Sequence, residues 1–185
     1  MNDSLTKLNT TIRQEAVAML EPMVERGLWV AGEAVDRRPF ASDEALAEAL
    51  VEVILAASPD MRVALFNNHP ELAGHEARQG QMTEASTSEQ SRLGLDALTH
   101  EQALRLDSLN AQYRARFGFP FILALHRQPD LAAVFATMER RLLATPLEEH
   151  TTTLAEIASV IRSRCRAAFG LRQHQISPTE IEPLE

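Results

Sequence analysis

The sequence predicts an all-α fold: a single-domain helical bundle of about seven to nine helices. Three observations lead there. The chain is rich in Ala, Leu, Glu and Arg and shows no sustained alternation of β-branched residues. Its apolar residues recur at three- and four-residue spacing, as in Leu46, Ala49, Leu50, Val53, Ile54 and Ala57. Its prolines and Ser/Thr caps cut the chain into segments of helix length, and 185 residues suffice to bury one core.

In order, Thr10 or Thr11 caps a first helix to about Leu20, and Pro22 restarts the chain as a second through about Val35. Ser42 caps a third, which Ser58-Pro59 ends. A short fourth from Asp60 stops near Asn68, because Pro70 disfavours helical geometry at His69. The polar stretch from Gly74 to Ala85 has no periodicity and is read as a loop. Ser86 starts a fifth helix to about Leu98, with Ser86-Thr87-Ser88-Glu89 fitting a capping box. Thr99 and Gln102 form another for a sixth helix ending near Phe117. Gly118-Phe119-Pro120 is a break. Pro129 opens a helix to about Ala144, and Pro146 precedes the last, Leu147 to about Phe169, with Gly170 as its stop. The folded domain is thus expected over 1–172, with a loose polar tail over 173–185.

Charge and cysteine content narrow the function. Lys plus Arg number 18 against 26 Asp plus Glu, a net charge of −8. An acidic surface repels phosphate backbones, which argues against nucleic acid but leaves room for an anionic small molecule met by a local Arg. One cysteine, Cys165, permits no intrachain disulfide and no four-cysteine zinc site; its place on an apolar stripe makes it a buried, inert thiol. No segment has the roughly 20 apolar residues of a membrane span. The first residues show no signal peptide, so a cytoplasmic location is expected.

Several residues could carry chemistry. His69 falls at a helix C-terminus, where the dipole favours its protonated form and general acid–base work is within reach; a capping histidine fits the same position. Glu89 has a structural role in its capping box, and a functional one if a carboxylate oxygen reaches a substrate amide or His69. In the last helix, Leu154, Ile157, Ala158, Ile161, Cys165, Ala168 and Phe169 form a stripe with Arg164 at one edge and Arg162 at the other. Either could snorkel or meet a buried anion, and periodicity does not choose between them. Phe117 to Ile122 reads as a hydrophobic plug, or as a kinked segment whose unpaired amides read a flat heterocycle. Metal signals are weak: His69 and His75 lie six apart across Pro70 and Gly74, and His75-Glu76 lacks the second histidine of a zinc helix.

Taken together, His69-Pro70-Glu71-Leu72-Ala73-Gly74, Ser86-Thr87-Ser88-Glu89-Gln90 and the run from Leu109 through Tyr113 and Phe117-Gly118-Phe119-Pro120 to Ile122 resemble the 2-oxo-4-hydroxy-4-carboxy-5-ureidoimidazoline (OHCU) decarboxylases. Trp29-Val30-Ala31, Arg38-Pro39-Phe40 and Glu156-Ile157-Ala158 also match, so the likeness covers about residues 8 to 170. It implies an all-α enzyme, commonly a homodimer, with no metal or organic cofactor, that converts the last unstable intermediate between urate and allantoin to (S)-allantoin. It implies His69 as the catalytic acid–base residue and Glu89 as its partner. Pro70, Ser86, Thr87, Ser88 and Gln90, with Phe121, Ile122, Leu123, Ala124 and Leu125, would line the substrate pocket. Arg164 would bind the substrate carboxylate or a ring carbonyl. Arg92-Leu93-Gly94 departs from the family pattern, which has small residues there. The competing expectations are a helical ligand-binding or interaction module without catalysis, and a decarboxylase of a related ureide or imidazolone acid.

Overall fold

The computed structural model describes residues 3–170, apart from the side chain of Arg78. The described residues contain ten α-helices and two 3-10 turns, and no strand among them. The predicted all-α class holds, and two of the ten helices were not foreseen. The first is α1 (Asp3–Thr10), where the sequence reading began its first helix only at Thr10 or Thr11. Thr10 instead ends α1, bonding back to the Thr6 carbonyl. The guanidinium of Arg38 closes that end by donating to the carbonyls of Leu8 (2.8 Å) and Thr11 (2.9 Å).

Beyond α1 come α2 (Arg13–Leu20) and α3 (Leu28–Val35). The predicted second helix from Pro22 is interrupted: Glu21–Met23 forms a 3-10 turn, and the chain re-enters helix only after Gly27. Helix α4 (Asp43–Ala56) begins at Ser42 as expected, its hydroxyl accepting from the Ala45 amide. Ser58 then caps α5 (Pro59–Asn67), with Pro59 in the first turn where its missing N–H costs nothing.

The second unforeseen helix is α6 (His75–Arg78), inside the stretch read as a loop. The next correction bears on the site. Helix α7 runs Glu84–Ser91 and is capped by Thr83, not Ser86. The Thr83 hydroxyl accepts from the Ser86 amide at 3.3 Å, which places Ser86 and Glu89 inside the helix. The proposed Ser86–Glu89 capping box therefore does not form. Nor does the helix reach Leu98: Gly94 turns left-handed (φ 70°) and the Leu95 amide closes onto the Gln90 carbonyl.

Helix α8 (His100–Phe117) has the full Thr99–Gln102 capping box and ends on Gly118 at φ 79°, a geometry that side chains disfavour. Thr99→Ala is expected to cost about 1 kcal/mol, read as a lowered melting temperature with unchanged turnover. After a non-helical segment and a 3-10 turn at Leu125–Arg127 come α9 (Leu131–Arg141), capped by Asp130, and α10 (Pro146–Phe169), capped by Thr145 with Glu148. The polar tail expected over 173–185 lies outside the described residues.

Helix α10 is the backbone of the core. It packs chiefly on α4, and α3 lies on α4 and α2. Ile157, Ile161, Cys165 and Phe169 of α10 are buried with Leu46, Leu50, Val53 and Ile54 of α4. Each such side chain contributes about 1.5–3 kcal/mol of apolar burial. Ala168, placed on the stripe by periodicity, is exposed instead. No described helix is long and apolar enough to cross a membrane.

Candidate active site

Three parts of the chain meet against one edge of α10: the end of α5 with its following loop, helix α7, and the extended segment after Gly118. Between them lies a narrow cleft, about 410 Å³ counting the open space at its mouth. Its walls include His69, Pro70 and Leu72 from the first part, and Ser86, Glu89 and Gln90 from the second. Phe121, Ile122, Leu123 and Leu125 come from the third, and Val160 and Arg164 from α10.

His69 sits just past the last turn of α5, where the helix leaves carbonyls unpaired. Its Nδ1 lies 3.0 Å from the Leu65 carbonyl. A carbonyl only accepts, so Nδ1 carries the hydrogen and Nε2 is the nitrogen left to take up a proton. Burial pulls the His69 pKa below its ordinary value of 6.5; the Leu65 carbonyl, Glu25 and Glu89 pull upward, Arg164 downward, and burial prevails. The helix end does pull toward the protonated ring, through the Leu65 carbonyl, as expected from the sequence. The helix terminus is present, but desolvation outweighs it.

The following loop is held under strain. Ala73 adopts φ 45°, a left-handed conformation rare for a residue with a Cβ. Its amide donates to Gln90 Oε1 at 2.8 Å, and the buried Asn110 donates to the Leu72 carbonyl at 3.0 Å. The loop that follows His69 is therefore positioned by α7 and α8 rather than by its own geometry.

Arg164, buried in α10, answers the choice that periodicity left open. It forms a bidentate pair with Glu89, 2.9 Å at both contacts. Arg162 lies exposed on the other side and pairs with Glu48. A residue that the sequence reading missed completes the cluster: Glu25, buried in the break before α3. It accepts from Thr83 (3.0 Å), Ser86 (2.7 Å) and Arg164 (3.1 Å). Burial drives the Glu25 carboxyl upward, but Ser86, Arg164 and His69 outweigh it, and its pKa ends below the ordinary range. Burial likewise works against the Arg164 cation, and Glu89 with Glu25 more than offset it. A carboxylate at a helix break also describes many surface loops, so the sequence carried no distinguishing signal for Glu25. Leu72 and Val160 were missed as well, being ordinary apolar positions.

The segment after Gly118 bears out the plug reading. Phe119 and Phe121 are buried and meet Phe66 and Tyr113 edge-on at 5.0 and 5.2 Å, a hydrophobic plug. Its backbone meanwhile runs along the cleft, pinned by charged side chains. The Ile122 carbonyl accepts from Arg141 (2.7 Å), the Ala124 amide donates to Glu156 (2.7 Å), and the Leu125 carbonyl accepts from Arg92.

Three expected pocket residues are placed elsewhere. Thr87 and Ser88 are exposed on the far face of α7, with Thr87 bonded back to the Thr83 carbonyl. At 100° per residue, Thr87 and Ser88 point away from the side of α7 that carries Ser86, Glu89 and Gln90. Ala124 is buried behind the wall, its amide on Glu156. Cys165 is fully buried, and burial pushes its thiol up to about 12. Among the described residues no group of three His, Cys, Asp or Glu side chains could hold a metal ion.

Comparison with known proteins adds sequence and fold likeness. A family model described as OHCU decarboxylase matches residues 9–166. The mouse 2-oxo-4-hydroxy-4-carboxy-5-ureidoimidazoline decarboxylase is 36% identical over 170 residues, covering 92% of this chain and 95% of the mouse protein. A human protein described as a putative member is 38% identical over 156 residues, 84% of this chain and 90% of its own. Among solved structures, an (S)-allantoin synthase superposes with a TM-score of 0.70 at 24% identity. That match takes in 89% of this chain and 53% of the synthase chain, about half its length. An OHCU decarboxylase crystallised in the presence of (S)-allantoin gives 0.63 at 15% identity, over 80% of this chain and 94% of its own. At these identities the two structures speak for the fold.

Proposed function

The chain belongs to the OHCU decarboxylase family, and we propose that His69, Glu89 and Arg164 are the residues with which it decarboxylates 2-oxo-4-hydroxy-4-carboxy-5-ureidoimidazoline to allantoin. The observation that carries the assignment is their convergence: an imidazole, a carboxylate and a guanidinium from α7, α10 and the end of α5 line one cleft. The substrate carboxylate sits on a carbon that also bears a hydroxyl, beside electron-withdrawing ring groups. When the carbon–carboxylate bond breaks, the electron pair stays on the ring and CO2 leaves; a proton from solvent neutralises the ring, and the hydroxyl proton moves to the neighbouring carbon as the hydroxyl becomes the product carbonyl. The cleft has to hold the ring, stabilise the charge and deliver that proton to one face.

His69 does the proton work. With Nδ1 committed to the Leu65 carbonyl, Nε2 accepts a proton from the substrate hydroxyl side and returns it to carbon, so one enantiomer, (S)-allantoin, results. Glu89 holds the ureido group or the imidazole, and Arg164 meets the carboxylate. Pro70, Ser86, Gln90 and the pinned backbone at Phe121, Ile122, Leu123 and Leu125 shape the cleft. Homodimeric assembly and a cytoplasmic location are proposed on the family likeness alone. Sedimentation equilibrium and cell fractionation test them.

The experiment that tests the function generates the intermediate in situ by enzymatic oxidation and hydrolysis of urate, adds the protein, and follows circular dichroism. Rapid appearance of one allantoin enantiomer is expected. Slow racemic product, at the rate without protein, would refute the assignment. The pH dependence has a definite sign. Because the His69 pKa lies below 6.5, the neutral imidazole dominates at neutrality and the base is ready. The kcat/KM profile should therefore stay level from pH 7.5 down through about 6.5 and fall only at lower pH. An acid limb centred above 6.5 would contradict it.

A further inference from the structure

The guanidinium of Arg164 has five N–H bonds, and the protein supplies an acceptor for each. Nε donates to Glu89 Oε1 and Nη2 to Glu89 Oε2, both at 2.9 Å; Nη2 also faces Ser86 Oγ at 3.4 Å. Nη1 donates to the Pro22 carbonyl and to Glu25 Oε2, each at 3.1 Å. Two carboxylates therefore share one cation, and no donor is spare for a third anion.

The two carboxylates are held differently. Glu25 is 3% exposed and accepts from Thr83 and Ser86 at α7 as well as from α10. Displacing it would leave a buried charge unpaired, and it does not line the cleft. The side chain of Glu89 is 28% exposed and lines the cleft, and among the described residues its hydrogen-bond partner is Arg164.

We infer that Glu25 is the fixed counter-ion that orients Arg164, and that Glu89 is the exchangeable one, yielding the Nε–Nη2 edge of the guanidinium to the carboxylate of an incoming substrate. The inference rests on the decarboxylase reading of this cleft. The exchange conserves its chemistry: one planar carboxylate replaces another on the same two N–H groups, so the guanidinium is neither stripped nor reoriented. The displaced Glu89 remains at the cleft wall as a pure acceptor, suited to the ureido N–H groups of the ligand. Loss of CO2 then removes the competitor. Glu89 returns to Arg164, and the uncharged product is left without its main anchor, so the same exchange assists release.

The test is calorimetric titration of the full-length protein with two stable ring probes, the carboxylate hydantoin-5-acetate and neutral hydantoin. The variants are E89Q, E89D and E25Q, each first checked by thermal melting. E89Q removes the competing carboxylate and should tighten hydantoin-5-acetate roughly ten-fold, the worth of a charge-assisted contact. E89D keeps the charge but shortens the arm, and should tighten it less. E25Q removes the same charge as E89Q and should bring no gain, since Glu25 does not occupy the exchanged edge. Neutral hydantoin should gain nothing in any variant. Equal gains in E25Q and E89Q with none in E89D would mean simple charge repulsion and would overturn the exchange, as would no gain in E89Q. Should E25Q fail to fold, E89D decides alone: a gain supports exchange and no gain refutes it. Wild-type turnover of the urate-derived intermediate separates the two ideas, because it tests the reaction whatever the titrations give.

Discussion

Replacement of His69 by asparagine is expected to lower kcat/KM for the urate-derived intermediate by about 10³-fold, within the 10²–10⁴ range of a lost general acid–base group. Asparagine keeps the volume of the ring's proximal part and a donor that can still reach the Leu65 carbonyl, which His69 Nδ1 now meets at 3.0 Å. What it lacks is the second nitrogen, the one able to accept and return a proton. The loss should therefore fall on turnover and stereochemistry together. The little product that forms should approach the racemate, because spontaneous protonation has no preferred face. The checks are initial rates with circular dichroism of the allantoin, and an unchanged melting temperature to exclude collapse of the α5 terminus. An H69N variant that yields one enantiomer at the full rate would remove His69 from the mechanism.

The frame around this site was largely legible in the sequence, and the particulars show why. Ser42, Thr99 and Gln102 could be read as caps because capping is a local transaction between residues three apart. The stripe of α10 could be read because one face of a long helix is buried along most of its length. Where the reading slipped, a distant group had changed the local outcome. Ser86 has the right neighbours for a cap, but Glu25, 61 positions away, takes its hydroxyl, and Thr83 caps the helix instead. His69 was expected to favour its proton from the helix end alone, whereas burial by segments remote in sequence decides the direction. Glu25 itself could not be found from the chain, because its meaning lies in what folds onto it.

The pinned wall of the cleft leads to the second large effect. Arg141 and Glu149 are 3% and 0% exposed, and form a bidentate pair that also engages Tyr113 and Thr153. Arg141 stacks 4.6 Å over the Phe121 ring and donates to the Ile122 carbonyl at 2.7 Å. Glu149→Ala would strand a buried guanidinium, which typically costs about 3–5 kcal/mol, a large share of a domain's stability. Urea unfolding should show this as a lowered midpoint at unchanged slope. The double variant R141M/E149L, which removes both charges and keeps the volume, should recover much of that stability, because a desolvated pair competes poorly with apolar packing. Its function should not recover in step. Without Arg141 the Ile122 carbonyl has lost its donor, and the wall is free to shift against the substrate ring. KM should therefore rise several-fold while the fold stays intact. A double variant that is both stable and kinetically normal would show that the buried cluster serves the core alone. A split between restored stability and weakened binding would tie it to the shape of the cleft.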